Sequence, residues 1–109
     1  MKFSSELLKG VTKNIILATI SHKEMYGYDI AKTVKEKSNA LVEVGEGSLY
    51  PALHELEKKG LIKSRWMVVG GRERKYYTIT PKGSKALSEA AKEWNVFSKT
   101  ITPFFSRAV

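Results

Sequence analysis

The chain has 109 residues and no cysteine, so it has room for one domain with a modest core and offers neither disulfides nor thiolate metal ligands. It contains no run of about 18 apolar residues and no apolar N-terminal stretch like that of a signal peptide, so we expect a cytoplasmic protein without membrane association. Its net charge of +8 is concentrated in residues 58–85, which contain nine basic residues and one acidic residue. This pattern is typical both of a polyanion-binding surface and of a solvated basic face.

The chain opens with two predicted helices. Residues 5–21 carry apolar side chains at the helical period, and the second half of this segment is apolar on nearly all sides, which predicts burial. Residues 22–26 form a short connection, and a second helix with a lysine-rich outer face is expected over residues 26–38. Residues 41–44, LVEV, have the composition of a brief strand.

A third helix is predicted around Pro51. Three leucines recur there at the helical period, and Gly60 suits the left-handed residue that ends a helix. Because proline lacks an N–H group, it is tolerated in the first turn, so the helix should begin near Gly47 or Ser48, with Ser48 as a cap. The inward positions are Leu49, Leu53 and Leu56.

The outer face of this third helix is the first candidate binding surface. Its members are Ser48, Pro51, Glu55 and Lys58, flanked by Tyr50 and His54. A free helix N-terminus with small and polar groups suits a phosphate or a base edge. The alternatives are a cap for Ser48, a half-buried aromatic for Tyr50 and an ordinary surface histidine for His54.

Two strands follow the third helix. Residues 61–69 are β-branched and aromatic with period-two alternation, Gly70-Gly71 is a hairpin turn signal, and RERKYYTIT, residues 72–80, returns as the second strand. The tip of this hairpin carries three neighbouring cations, which phosphate or minor-groove contact explains better than a solvated turn does. These cations are Arg72, Arg74 and Lys75.

The order of three helices and a hairpin predicts a winged helix-turn-helix, a mostly α fold with a small β-hairpin (class α+β). A last helix should begin at Thr80-Pro81. Its apolar residues form a heptad seam, which a single helix cannot bury alone, so a partner helix is expected. The seam consists of Leu87, Ala90, Trp94, Phe97, Ile101 and Phe104. We therefore divide the chain into a winged helix-turn-helix DNA-binding domain, residues 1–80, and a dimerisation helix, residues 81–109.

Five short motifs together resemble those of the PadR family of transcriptional regulators. They are YGYDI (26–30), GSLYPAL (47–53), LEKKGLI (56–62), GGRERKYYTIT (from residue 70) and TPKG (80–83), and they lie within residues 26–83, a span of about half of the chain. The length and the single C-terminal helix resemble the short subgroup, which includes multidrug-binding repressors. The resemblance implies a homodimer on a near-palindromic operator in double-stranded DNA, in which the first helix of each DNA-binding domain joins the last helix in the dimer body.

The resemblance also implies positions for two kinds of site. Candidate DNA contacts are Tyr26, Ser48, Tyr50, Pro51 and His54, with Arg72, Arg74 and Lys75 of the hairpin. Candidate contacts to a small planar aromatic effector are Trp94 and Phe97 of the last helix and Leu8, Asn14 and Ile15 of the first. The sequence departs from the family pattern at Glu55, where arginine is common, and it has no acid directly after Trp94. Pro103 is expected to kink the last helix or end it early.

Several residues keep a second interpretation. Tyr26 and Tyr28 suit core packing as well as phosphate contact, Trp66 is expected to be a hydrophobic residue of the wing strand, and a tryptophan in an apolar stripe is often simple packing. Enzyme activity, a metal site and a cofactor are not expected, because His22 and His54 lie far apart and no phosphate-binding loop or metal-ligand spacing occurs. The alternatives to an effector-controlled repressor are a winged protein–protein interaction module and a regulator without a small-molecule ligand.

Overall fold

The structure is a computed structural model that describes residues 1–106; residues 107–109 of the predicted dimerisation region lie outside the described residues. The elements in chain order are α1 (Ser5–Leu8), α2 (Thr12–Ile20), β1 (Met25–Tyr26), α3 (Gly27–Lys37), α4 (Glu46–Lys58), β2 (Ile62–Val69), β3 (Arg72–Ile79) and α5 (Pro81–Ser106). The helix-dominated α+β class and the winged helix-turn-helix order predicted from the sequence are confirmed.

The predicted first helix consists of two helices. Gly10 lies in the break, where a glycine costs about 1 kcal/mol relative to alanine in a helix interior. Across the break the Val11 N–H bonds to the Leu8 carbonyl at 2.9 Å, and the Thr12 hydroxyl donates to the same carbonyl at 2.8 Å. The prediction of one continuous helix over residues 5–21 was therefore wrong at this turn, because a tighter local bonding pattern replaces the α-helical one.

Two short segments exchange their predicted roles. Residues 25 and 26, expected in a connection, form β1 and pair with Tyr77 and Tyr76, which gives a three-stranded antiparallel sheet in the order β1-β3-β2. Residues 41–44, expected as a strand, are an irregular loop that buries Val42 and Val44. The Ser38 hydroxyl accepts the Val42 N–H at 3.0 Å, so a side chain satisfies this loop's backbone in place of a strand partner.

The hydrophobic core lies where α2, α3 and α4 meet the sheet. The side chains that are almost fully buried there are Ile16, Leu17, Ile20, Ile30, Leu49, Leu53 and Ile62. They come from three helices and one strand, and α2 and α4 supply theirs at helical spacing. This shared core fixes the angle between α3 and α4, the two helices of the turn motif.

Helix α4 begins earlier than predicted. Its N-cap is Gly45 rather than Ser48, and the Ser48 and Leu49 N–H groups both bond to the Gly45 carbonyl, at 3.0 and 2.8 Å. Pro51 therefore lies in the second turn and leaves the Gly47 carbonyl without its helical partner. Since Gly47 is exposed, water can satisfy that carbonyl. The expected end is confirmed, because Gly60 adopts φ +76°.

The TPKG motif joins the end of α4 to the start of α5. The Thr80 hydroxyl accepts the Gly83 N–H at 3.0 Å and donates to the Gly60 carbonyl at 2.7 Å, so it caps α5 and holds the α4 terminus at once. The Lys82 ammonium donates to the Lys59 carbonyl at 2.8 Å, where a cation also complements the C-terminal end of the helix dipole. These bonds set the direction in which α5 leaves the head.

Helix α5 has 26 residues, about 39 Å at 1.5 Å per residue, and only Gly83 is buried among them. It packs against α2 and β3 near its start and then extends into solvent. The helix continues through Pro103 to Ser106, so the expected early end is wrong. Within residues 1–106, no helix combines the length and apolar character needed to cross a membrane.

Candidate nucleic-acid interface and C-terminal helix

The outermost ridge of α4 consists of Gly47, Pro51, His54 and Lys58, all of which are exposed. These residues follow one another at three or four positions, so they form a single line along the helix, opposite the buried leucines. Ser48 is exposed on one flank of this ridge and Tyr50 on the other. The ridge has little side-chain bulk at its N-terminal end, which permits a partner's backbone to approach closely.

Tyr50 is 47% exposed and rests on Gly27, the first residue of α3. A Cβ atom at Gly27 would lie 2.5 Å from the Tyr50 phenolic oxygen and 3.0 Å from its ring. The missing side chain of Gly27 therefore makes the seat on which the Tyr50 ring lies. This contact joins the YGYDI and GSLYPAL motifs in the folded chain.

A cluster of tyrosines lies where β1, α3 and β3 meet. The Tyr26 ring stacks with Tyr28 at a centroid distance of 6.1 Å and meets Tyr76 at 5.5 Å. The Arg74 guanidinium lies 4.5 Å from the centroid of the Tyr26 ring, a cation–π distance. The Tyr26 ring is therefore half-buried and also orients a cation at the surface.

The hairpin turn has the backbone predicted for it. Gly70 and Gly71 adopt φ values of +60° and +77°, as both central residues of a type I′ turn require, and Val69 pairs directly with Arg72. Successive residues of β3 point to opposite faces of the sheet. Arg72 and Arg74 therefore share one face with Tyr76, whereas Lys75 lies on the other.

Lys75 consequently differs from the two arginines, although the three are neighbours in sequence. Its ammonium lies 3.8 Å from the Glu57 carboxylate of α4 and 5.9 Å from the centroids of the Trp66 and Tyr77 rings. The Ser64 hydroxyl donates to the same carboxylate. Lys75 thus lies between the hairpin and α4, and the expectation that it stands beside the arginines fails because strand geometry alternates.

Glu55 is part of an ion-pair network. Its carboxylate lies 2.8 Å from the Lys13 ammonium of α2 and 3.1 Å from the Lys59 ammonium. These hydrogen bonds, that of Lys13 first, hold the pKa of Glu55 below its ordinary value. The residue therefore ties α4 to α2.

The hairpin base is closed by a second carboxylate. Arg65 donates two hydrogen bonds of 2.7 Å to Glu24, in the segment before β1, and this pairing lowers the pKa of the glutamate. Arg65 therefore has a bidentate structural partner, whereas Arg72 at the tip is exposed and forms no ion pair within residues 1–106.

Tyr77 of β3 is buried in the core. Burial raises the pKa of the Tyr77 phenol, with smaller contributions from the charges of Glu57 and Tyr50.

The seam of α5 is largely open to solvent in the single chain. Trp94 is 53% exposed, Phe97 52% and Phe104 75%, and the Trp94 and Phe97 rings stack with centroids 5.7 Å apart. Leu87, Ala90 and Ile101 are partly buried. An exposed aromatic stripe of this length is typical of a surface that another protein covers.

The candidate effector residues of the first helix occupy two environments. Leu8 and Ile15 pack at the edge of the core, and Asn14 is exposed. A groove of about 560 Å³ between α1, α2 and α4 includes Leu8 but neither Trp94 nor Phe97. Leu8 is therefore the one candidate effector residue that lines this groove within residues 1–106.

Sequence reasoning missed two contributors to this surface. Lys82 caps the C-terminal end of α4 from α5, a contact between residues 23 positions apart that no local pattern indicates. Trp66, expected as an ordinary strand hydrophobe, is 65% exposed. Its exposure was indicated in the sequence by two features: Trp66 shares a strand face with the polar Ser64, and it lies opposite Lys75 in the predicted hairpin.

Comparisons with known proteins identify the family. Residues 16–89 match the transcriptional regulator PadR-like family. The chain is 38% identical over 84 residues to the transcriptional regulator Rv3488 of Mycobacterium tuberculosis, an alignment that covers 77% of this chain and 76% of that protein.

Solved structures agree with this match. A transcriptional regulator from Clostridium thermocellum superposes with a TM-score of 0.86 at 36% identity, covering 92% of this chain and 98% of that one. A PadR-like transcriptional regulator from Bacillus cereus gives 0.79 at 36% identity, covering 93% and 97%. With the motifs, the fold and the family match in agreement, the chain belongs to the PadR-like family of transcriptional regulators.

Proposed function

We propose that this regulator binds duplex DNA as a homodimer, represses transcription and is released from its operator by a small planar aromatic molecule. The observation that carries the proposal is the exposed ridge of α4 lying beside a hairpin whose cations are exposed or stacked at the surface. A helix with such a ridge fits the major groove, and a neighbouring basic hairpin fits the adjacent backbone or minor groove.

The two parts of this surface have different tasks. On α4, Pro51 and His54 face the bases, with Ser48 and Tyr50 at the backbone on either flank. The hairpin supplies charge, from Arg72 at its tip and from the arginine stacked on Tyr26. Phosphate contacts of this kind give affinity and register, and the α4 ridge gives sequence preference.

The dimer part of the proposal rests on α5. Half or more of each aromatic seam side chain is exposed at Trp94, Phe97 and Phe104, although these residues recur at heptad spacing. A second copy of the helix packed on this seam would remove the aromatic surface from water. A twofold dimer of this type presents two α4 helices to two half-sites about one or two helical turns apart, ~34 Å per turn.

The effector part rests on Trp94. Two such indoles facing each other across a twofold axis pack less closely than leucines and leave a slot between them. A flat aromatic molecule in that slot would stack on both rings, with Leu8 and Ile15 as apolar walls and Asn14 at the edge. Ligand entry would change the separation of the two heads, so ligand and operator would weaken each other's affinity by the same factor.

DNA binding is tested with operator DNA selected from a random-sequence pool. Replacing Arg72 and Arg74 together by alanine should weaken binding to every sequence and flatten the salt dependence by roughly one to two phosphate contacts. The control replaces Lys92 and Lys99 together by alanine. This double variant loses the same amount of charge, but both lysines lie on the side of α5 opposite the seam. Wild-type affinity and salt slope in the arginine variant would remove the hairpin from the interface, and binding insensitive to salt would favour a protein–protein module.

Dimerisation is tested by sedimentation. Phe97→Asp with Ile101→Asp should yield monomers or unfolded chains, because it places charges in the seam. Aspartates at Lys92 and Lys99, on the opposite side of the helix, should leave the dimer intact. A folded wild-type monomer at micromolar concentration contradicts this part of the proposal.

Effector binding is tested by fluorescence. Planar aromatic dyes should quench tryptophan emission in the wild type and in Trp66→Phe, but not in Trp94→Ala, and they should lower operator affinity. If Trp94→Ala binds the dyes equally well, or if the dyes leave operator affinity unchanged, Trp94 is dimer packing and the protein is a regulator without this ligand.

A further inference from the structure

The hairpin presents an apolar patch that the interface described so far does not use. Trp66 is 65% exposed and Val68 is 70% exposed, and both lie on the same face of β2 because they are two residues apart. Their cross-strand partners are Lys75 and Glu73. An indole with most of its surface in water gains little from burial in the free protein, so its position calls for an external contact.

This face of the hairpin is continuous with α4. The Ser64–Tyr77 pair precedes the Trp66–Lys75 pair, and the Ser64 hydroxyl bonds to Glu57 of α4. Trp66 therefore stands one step beyond the point where the hairpin leaves α4, in the angle between the two.

The side of α4 that contacts the hairpin also carries proposed DNA contacts. Glu57 lies three positions after His54 and seven after Tyr50, so the three share one side of the helix. A duplex lying on the α4 ridge and on the hairpin tip would pass across this angle. The patch around Trp66 would then face the DNA backbone between the two grooves.

We propose that Trp66 contacts the sugar–phosphate backbone of duplex DNA, with its indole packed on a deoxyribose and the Lys75 ammonium on the adjacent phosphate. This inference rests on the proposed DNA-binding function. The charge of the whole segment favours this partner, because residues 58–85 carry a net charge of +8. On the face of the patch itself, the Lys75 ammonium lies 5.9 Å from the Trp66 ring centroid, beside the carboxylates of Glu57 and Glu73. The interior of a protein–protein interface is, in contrast, depleted of lysine.

Lys75 can change partners when DNA binds. Its 3.8 Å distance to Glu57 is long for a charge-assisted hydrogen bond, and its side chain is 39% exposed. A phosphate oxygen beside the indole offers a stronger partner. The tryptophan would then supply an apolar, salt-independent contact, and the lysine an electrostatic one.

The test measures binding to a mixed-sequence duplex of about 30 base pairs, roughly three helical turns, at several salt concentrations. Trp66→Ala should lower the DNA affinity roughly tenfold. The factor should be the same at each salt concentration, so the salt slope should not change. Trp66→Phe should retain most of the affinity. Lys75→Gln should reduce the salt slope by about one phosphate contact. Val96→Ala is the control and should bind as the wild type does, because Val96 is also an exposed apolar residue but lies on α5, away from the hairpin.

Fluorescence gives a second readout that does not depend on a truncated side chain. DNA should change the tryptophan emission of the wild type, and this change should be absent in Trp66→Phe, which retains Trp94. If Trp66→Ala fails to fold, this comparison decides the question.

The outcomes separate the inference from the function on which it rests. Wild-type DNA affinity in Trp66→Ala, alongside weakened binding in the Arg72/Arg74 double variant, would overturn the tryptophan contact and leave DNA binding standing. A change in sedimentation of Trp66→Ala without a change in its DNA affinity would assign the patch to contact between protein copies and overturn the inference. Absence of DNA binding by the wild type would overturn both.

Discussion

Replacing Gly83 by alanine should destabilise the protein strongly, although alanine is the better helix former. Gly83 is the buried residue at the start of α5. An added Cβ atom would collide with the Leu61 carbonyl oxygen and would lie 2.9 Å from its carbon and 2.8 Å from Ile79 Cγ1. The same carbonyl accepts the Thr80 N–H at 3.1 Å, so it cannot move away without loosening the bond beside the cap of α5.

The size of the effect follows from these distances. Carbon atoms in ordinary contact are about 3.5–4.0 Å apart, so α5 or the Leu61 peptide must shift by roughly 1 Å. Overpacking of a closed site costs about 1–3 kcal/mol, and the higher helix propensity of alanine recovers at most about 1 kcal/mol. We expect a net loss of about 2 kcal/mol and a melting temperature lower by roughly 8–16 °C.

The assay is thermal unfolding followed by circular dichroism at equal protein concentrations, because dimerisation would make the transition concentration-dependent. Gly47→Ala is the matched control, since Gly47 also lies in a helix but a Cβ atom added there would meet no other atom within 4 Å. That variant should gain up to about 1 kcal/mol. Equal or higher stability of Gly83→Ala would refute the packing argument, because the same chemical change would then act alike at a closed and an open site.

Two further predictions concern the interface. Gly27→Ala should displace the Tyr50 ring, because the phenolic oxygen lies 2.5 Å from the position of the new Cβ atom. Operator binding should weaken several-fold, and the melting temperature should stay near that of the wild type. Full operator affinity would show that the contact between Gly27 and Tyr50 is unimportant for DNA binding. Because the pKa of Glu24 is lowered by its bonds from Arg65, this pair stabilises the fold at pH values above the ordinary glutamate value of 4.5 and loses that contribution as pH falls through the lowered pKa. Arg65→Gln should therefore destabilise the protein at neutral pH and flatten the pH dependence of its melting temperature below pH 4.5, whereas an unchanged acid profile would contradict the role of the pair.

The elements that depend on local pattern were predictable from the sequence. The periodic leucines and the left-handed Gly60 gave α4 and its end, and Gly70-Gly71 gave the hairpin and its turn. The heptad spacing from Leu87 gave α5, and the five motifs gave the family, which the comparisons confirm. In each case residues close in sequence satisfy one another, so the signal is complete within a short window.

The tertiary structure decided what depends on distant partners. Residues 25 and 26 form a strand only because β3 offers them backbone bonds, whereas residues 41–44 lack a strand partner and bury their valines as a loop. The sheet register set Lys75 apart from its neighbouring arginines and left Trp66 in solvent. A buried backbone group needs a hydrogen-bond partner and a charged side chain favours an opposite charge. That partner can be any residue that the fold brings near, so its identity is not encoded in the neighbouring sequence.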